Sequence, residues 1–510
     1  MDWVKRSNEY TFTDGKSGFS INFAGMKFEK SDINALAPAC DRAFSGIADI
    51  EAGKIKNPDE QRKVTHFTDR MDYPGSAVFA AVQSFAAKTI AEGRFDAVVV
   101  NGIGGSALGP QLMQFAINGP YWNELPRSKR NGLKIYFLDN TDSSGFADLL
   151  EVMEPEKTLH LVISKSGGTQ ETKNNMIAME KFYASKGLNF AECAVAVTML
   201  DSSLYQYAKK NNWLEIFEMA ESIGGRTSET AIVGHLPAAL TGIDFGKFLA
   251  GACDMDAWTR GKENNPALML AMMWYLSGNG KGDRNMVIVP YSDRLVLLSR
   301  YLQQLVMESL GKELDLDGKV VNQGLNVFGN KGGTDAHAFI QQLNDGRDDF
   351  FATFIEVLHD AGKYEINDGI TMGDYLHGFF EGLSAALRNK GRQTITIRIP
   401  QLSVYELGQI IALYERAVAM YAEFININAF HQPGVQAYKL AAKDVLALRG
   451  KVLASLAGKG GFTGNGAAFA ENAGVCDRAV EVASILDKEA LNDGMVSREF
   501  DGKNWIYTVK

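Results

Sequence analysis

The sequence predicts an α/β protein with two successive open, mainly parallel sheets flanked by helices, followed by a helical C-terminal part. Three observations carry that expectation. Short β-rich runs recur with helical patterns between them, which is the signature of βαβ units. The pattern restarts once in mid-chain, and from Glu406 onward it is mostly helical. At about 150 residues per domain, 510 residues make roughly three domain-sized units.

Residues 1–90 mix polar turns with a helix expected around Gly75 to Ala91 and read as a helical and extended cap. The first sheet is expected within 91–250, from the runs FDAVVV (95–100), KIYFLD (134–139), LHLVIS (159–164) and CAVAVTM (193–199). A polar segment around Asp254 to Asn265 separates it from a second unit at 270–440, with strands expected in NMVIVPYS (285–292), FFATFIEV (350–357) and QTITIRIP (393–400). The remainder, 441–510, is expected to hold helices, a glycine run at 458–466 and a β-hairpin turning at Asp501-Gly502.

With 46% hydrophobic, 22% charged and 10% aromatic residues, the composition is that of an ordered protein. The formal charge, 52 − 61 = −9, argues against binding nucleic acid or an anionic membrane, so an anionic ligand must be met by local groups. Cys40, Cys193, Cys253 and Cys476 are too widely separated for a CxxC metal or redox motif. A cytoplasmic location is expected, since the N-terminus lacks an apolar export segment and no stretch offers 18 consecutive apolar residues. The 51 glycines against 12 prolines point to many tight turns or close backbone approaches, and their clusters lead to the candidate chemistry.

The first cluster, Asn101-Gly-Ile-Gly-Gly-Ser-Ala-Leu-Gly-Pro110, follows a strand and opens a helix, where backbone N–H groups suit a phosphate. It meets the dinucleotide fingerprint only in a variant form, with Ala107 in the third glycine's place and Asp139 more than 30 residues beyond Gly105. A ligand-free strand-to-helix turn is the alternative. The second cluster, Ser164-Lys-Ser-Gly-Gly-Thr-Gln-Glu-Thr172, concentrates hydroxyls, glycines and a lysine at the same kind of junction. One such hydroxyl is explained by N-capping, but three converge better on a phosphate monoester.

Arg226, in Ser222-Ile-Gly-Gly-Arg-Thr-Ser-Glu229, is either a surface arginine or a charge aimed into a cleft by its glycine pair. In Tyr301-Leu-Gln-Gln-Leu-Val-Met-Glu-Ser-Leu310 the apolar spacing predicts a helix on which Gln304 and Glu308 share a face. Glu308 lies near the far end of that helix, so the rule that ligands meet the carboxyl ends of strands does not by itself bring it to a cleft. His337 follows the turn Gly332-Gly333, where an imidazole can be exposed or can serve as a cap. In Phe430-His-Gln-Pro-Gly-Val-Gln-Ala-Tyr-Lys439, Lys439 is by default a surface lysine.

Taken together, NGIGGSALGP, SKSGGTQET, GGRTSE, QQLVMES, GGTDAHAF and HQPGVQAYK resemble the motifs of the phosphoglucose isomerase family, in that family's order, over roughly residues 95 to 440. The resemblance implies two sugar-isomerase α/β domains and reversible isomerisation of glucose 6-phosphate and fructose 6-phosphate through a cis-enediol(ate), with no cofactor and no metal. It implies Glu308 as the base, Arg226 as the group stabilising the enediolate, and His337 and Lys439 in ring opening. It places Gly105, Ser106, Ser164, Lys165, Ser166, Gly167, Gly168 and Thr169 in the sugar-phosphate pocket, and Gln304 and Gln432 on the substrate.

It also implies a homodimer, in which the histidine-bearing loop of one subunit completes its neighbour's site. Two positions depart from the family pattern: Thr227 stands where an aromatic residue is usual, and Gln436 where Glu is usual. An isomerase that also accepts mannose 6-phosphate and a non-catalytic sugar-phosphate sensor remain alternatives. The resemblance does not extend to the tail beyond Leu440.

Overall fold

The three inner strands of the first sheet are apolar almost throughout because helices cover both faces of it, the usual condition of a parallel sheet. In the computed structural model, which describes residues 3–57, 61–492 and 494–510, this sheet has five parallel strands. Their spatial order is Lys134–Leu138, Ala97–Asn101, Thr158–Ile163, Ala194–Thr198 and Glu215–Glu218. The chain leaves Ala97–Asn101 to one side and returns on its other side at Thr158–Ile163, with Asn101 in register with both Leu138 and Val162. That reversal is a topological switch point, and it opens a crevice at the carboxyl ends of these two strands. Both glycine clusters leave the sheet at this crevice.

The second sheet has parallel strands Asn285–Tyr291, Val327–Phe328, Phe350–Val357 and Gln393–Ile399. It is extended at one edge by the N-terminal segment. The hairpin Thr11–Thr13 and Ser20–Asn22 adds two strands, Ser20–Asn22 lying antiparallel to Gln393–Ile399. The first residues of the expected cap thus belong to the second sheet. These strands, with Glu215–Glu218 and Val327–Phe328, were not among those expected. They are short, and Glu215–Glu218 is polar at both ends, so neither leaves an apolar run to detect.

Around the second sheet, the helix Val404–Phe424 is buried along nearly its whole length and packs on Phe245–Trp258 and Pro266–Ser277. Its approach to Phe245–Trp258 depends on glycine. A Cβ on Gly408 would stand 2.1 Å from the Phe248 carbonyl oxygen, and one on Gly251 would stand 1.9 Å from that of Tyr405. The charges carried into this core compensate one another: Arg70 reaches Asp256 at 2.9 Å and Glu415 at 3.0 Å, and Arg416 reaches Asp256 at 2.6 Å.

The chain divides into two compact units, one ending at His431 and one beginning at Gln432. The boundary expected at 440/441 falls inside the helix Gly434–Ser455. The second unit also holds the helices Gly466–Asn472 and Ala479–Leu491, and a small antiparallel sheet in which Trp505–Val509 lies between Thr463–Gly464 and Val496–Phe500. Leu448, Val452, Phe469, Val482, Leu486 and Tyr507 form its own core. The glycine run serves this packing. Gly458 and Gly461 take positive φ of 73° and 81° at the turn, and a Cβ on Gly466 would meet that of Ala483 at 2.6 Å.

Candidate active site

The loop after Ala97–Asn101 is glycine-rich because two neighbours press on it. Gly104 turns at φ 59°, and a Cβ there would lie 2.9 Å from Nε2 of Gln304. A Cβ on Gly105 would lie 1.7 Å from the carbonyl oxygen of Gly225, so the loop and the Gly225–Thr227 turn touch backbone to backbone. Ser228 fastens the junction, its hydroxyl donating to the carbonyls of Gly105 at 3.2 Å and Gly225 at 2.7 Å. Ser106 closes the short 3-10 turn Gly104–Ser106, ahead of the helix Leu108–Ile117.

The neighbouring loop joins Thr158–Ile163 to the helix Gln170–Ser185. Ser164 is buried and anchored: its N–H donates to Val197 at 3.1 Å, and its carbonyl accepts from the Thr198 hydroxyl at 2.7 Å. Lys165 is half-buried, and Ser166 and Gly168 are exposed. Gly167 turns at φ 71°, where a Cβ would meet the Leu204 nitrogen at 2.3 Å. Thr169 occupies the N-cap position but its side chain makes no cap hydrogen bond, so it leaves the first-turn N–H groups to another acceptor. Hydroxyls, backbone donors and the positive end of a 16-residue helix therefore meet at the switch point.

Arg226 is 8% exposed and faces inward. Its Nη1 donates to the Ala429 carbonyl at 3.0 Å and to the Ser309 hydroxyl at 3.4 Å, and its Nη2 to the His431 carbonyl at 3.4 Å. Its Nε lies 3.4 Å from Oε2 of Glu308. Glu308 ends a segment that starts as the α-helix Leu298–Leu302 and continues over Gln303–Glu308 as a π-helix, a geometry frequent at functional sites. This segment lies lengthwise along the loops of the first sheet, with Gln304 at Gly104 and Glu308 at Arg226. The position of Glu308 near the far end of the helix is thereby reconciled with the cleft: the side of the helix meets the loops, not its tip.

His337 ends the turn Thr334–His337, which follows Gly333 at φ 81°. The Gly332 N–H donates to the Pro290 carbonyl at 2.8 Å, fixing this turn at the carboxyl end of Asn285–Tyr291. Buried Asp335 accepts from the backbone N–H of Asn330 at 3.0 Å. The imidazole of His337 is exposed and makes no hydrogen bond or ion pair among the described residues. Gln432 and Lys439 belong to the second unit, where Lys439 is exposed on the helix Gly434–Ser455. Of the two departures from the family pattern, Thr227 is buried in the Arg226 turn, and the side chain of Gln436 lies outside the described residues. Asp139 accepts from Gln111 Nε2 at 2.8 Å, which engages it within the fold.

Two members of the site went unread in the sequence. Ser309 holds Arg226 through its hydroxyl. Lys312 is buried and donates to the carbonyls of Glu308 at 2.8 Å and Ser309 at 2.7 Å. Burial and the charge of Arg226 push its amine down to about 7, against the pull of Glu308. No local signal marked Lys312, which lies past the helix at the start of the strand Lys312–Leu314.

The chain resembles proteins named glucose-6-phosphate isomerase along most of its length. It is 46% identical to that of Nostoc punctiforme over 89% of this chain and 88% of the relative. It is 44% identical to that of Synechococcus elongatus over 99% of this chain and 96% of the relative. Among solved structures, the glucose-6-phosphate isomerase of Chlamydia trachomatis superposes with a TM-score of 0.79 at 28% identity, covering 87% of this chain and 91% of that one. A family model described as phosphoglucose isomerase matches residues 41–381 and 381–453, and on that breadth the chain belongs to the phosphoglucose isomerase family.

Proposed function

We propose that the cleft at the switch point of the first sheet is where the chain carries out its reaction, with Glu308 as the base. The chain is an aldose–ketose isomerase that interconverts glucose 6-phosphate and fructose 6-phosphate, a step of glycolysis and gluconeogenesis. The observation that carries the site assignment is the 3.4 Å pairing of Glu308 with an inward-facing Arg226, alongside two loops rich in hydrogen-bond donors.

The phosphate would sit on the hydroxyls of Ser164, Ser166 and Thr169, with the N–H groups at the start of Gln170–Ser185. Lys165, Gly167 and Gly168 complete that loop, and Gly105 and Ser106 with Gln304 border the sugar. Binding energy from this remote group orients the reacting carbons. Glu308 takes the C2 proton of the open-chain aldose. The electron pair forms the C1=C2 bond and charge passes to the carbonyl oxygen, where the Arg226 guanidinium offsets it. Return of the proton at C1, with the hydroxyl proton moving from O2 to O1, gives the ketose.

His337 and Lys439 are assigned to ring opening and Gln432 to a sugar hydroxyl, in line with the family motifs they match. The exposure of His337 fits a homodimer in which it acts in the neighbouring subunit's site. No helix among the described residues is long and apolar enough to cross a membrane, and the cytoplasm is the proposed location. The test is fructose 6-phosphate turnover by the wild type and by Glu308→Gln. Loss of turnover with retained substrate binding supports the assignment, and near-normal turnover by the folded variant removes it.

A further inference from the structure

Lys312 is not among the residues that the family motifs single out, yet its amine lies 2.8 Å from the carbonyl oxygen of the candidate base. It opens the short strand Lys312–Leu314, which pairs with Val320–Gln323 in a two-stranded ribbon, Lys312 opposite Gln323. From there its side chain turns back under the preceding helix. Only 5% of it is exposed, although a lysine normally keeps its amine in water.

The amine donates to two carbonyls at the end of the Gln303–Glu308 segment, those of Glu308 and Ser309. Carbonyls at a helix end lack partners in the helix and must find them elsewhere. Here both go to one group, and they belong to the candidate base and to the residue whose hydroxyl meets Arg226. The charged groups facing the amine are Arg226, from the turn after Glu215–Glu218, and Glu308 itself.

We propose that Lys312 is a positioning residue for the isomerisation: it clamps the backbone of Glu308 and Ser309, and so holds the Glu308 carboxylate at the geometry in which Arg226 meets it. The proposal rests on the reading of Glu308 as the base. Its chemistry suits the place. Two acceptors need two N–H donors, which a neutral amine supplies in full. An amine that gives up its third proton near neutrality, as burial and Arg226 dispose this one to do, holds the geometry without adding a second fixed cation beside the base. Such a cation would stabilise the carboxylate and weaken it as a proton acceptor. An arginine, charged at every working pH, could not do the same.

The test compares Lys312→Met, which keeps length and apolar bulk but removes the donors, with Lys312→Ala supplied with propylamine. Misplacement of a reacting group by about 1 Å can cost on the order of 10²-fold in rate. Lys312→Met is therefore expected to lose about 10- to 100-fold in kcat, with KM for fructose 6-phosphate nearly unchanged because the phosphate loops are untouched. Propylamine is expected to restore much of the kcat of Lys312→Ala.

Wild-type kcat in folded Lys312→Met overturns the proposal. So does a loss of kcat in Lys312→Ala that propylamine leaves unchanged, which would make Lys312 a packing residue. Should Lys312→Met be insoluble, the amine rescue alone decides. The underlying reading fails separately: if Glu308→Gln keeps its turnover, Glu308 is not the base, whatever Lys312 does.

Discussion

At the scale of single residues, the site is a carboxylate made useful by the way its neighbours hold it. A positioned base typically contributes about 10² to 10⁴ in rate, and Glu308→Gln is expected to lose kcat in that range while still binding fructose 6-phosphate, as calorimetry would show. Arg226 presents a fork that engages Ala429, Ser309 and Glu308 at once. A lysine there keeps the charge but cannot make the same set of contacts. Arg226→Lys is expected to lower kcat by roughly 10- to 10³-fold, and unchanged steady-state kinetics would remove the arginine from the mechanism. As candidates these residues were legible in the sequence, marked by a glycine pair and a Gln–Glu spacing, although only the family resemblance gave them roles. Their meeting was not, because nothing local to QQLVMES says that its helix lies along the loops of a different sheet.

At the scale of elements, the strands that were easiest to foresee are those buried on both faces, such as Ala97–Asn101 and Thr158–Ile163, whose unbroken apolar runs report their surroundings. The N-terminal hairpin and Val327–Phe328 were invisible because their stability comes from pairing with distant strands, and stretches of two or three residues carry no periodicity. The glycine loops were foreseen as phosphate cradles, but the reason for Gly105 is tertiary: it lets one loop touch another. Gly105→Ala forces a Cβ against the Gly225 carbonyl and separates the loops. Its kcat/KM is expected to fall by on the order of 10²-fold, with far-UV circular dichroism unchanged. In the core, Gly408→Ala wedges apart the helices Val404–Phe424 and Phe245–Trp258. Denaturant titration is expected to show about 1–3 kcal/mol of lost stability, and no loss would mean that these helices separate freely.

At the scale of the whole molecule, the exposed His337 bears on the proposed homodimer. If His337 serves the neighbouring subunit, an inactive His337→Ala chain and an inactive Glu308→Gln chain complement each other. A heterodimer of the two contains one intact site. Random pairing is then expected to restore about a quarter of wild-type activity, one site in two in half of the dimers, and no recovery would place the histidine in its own subunit's site. The glycines that first marked the sequence serve three ends across the molecule: donor-rich loops at the switch point, close helix contact in the core, and turns in the second unit. The most direct test of the account is a coupled assay of the purified chain with fructose 6-phosphate, run beside Glu308→Gln at matched folded concentration. Glucose 6-phosphate formation is expected from the wild type, reduced by at least about 10²-fold in the variant; equal turnover by the two proteins would remove Glu308 from the chemistry.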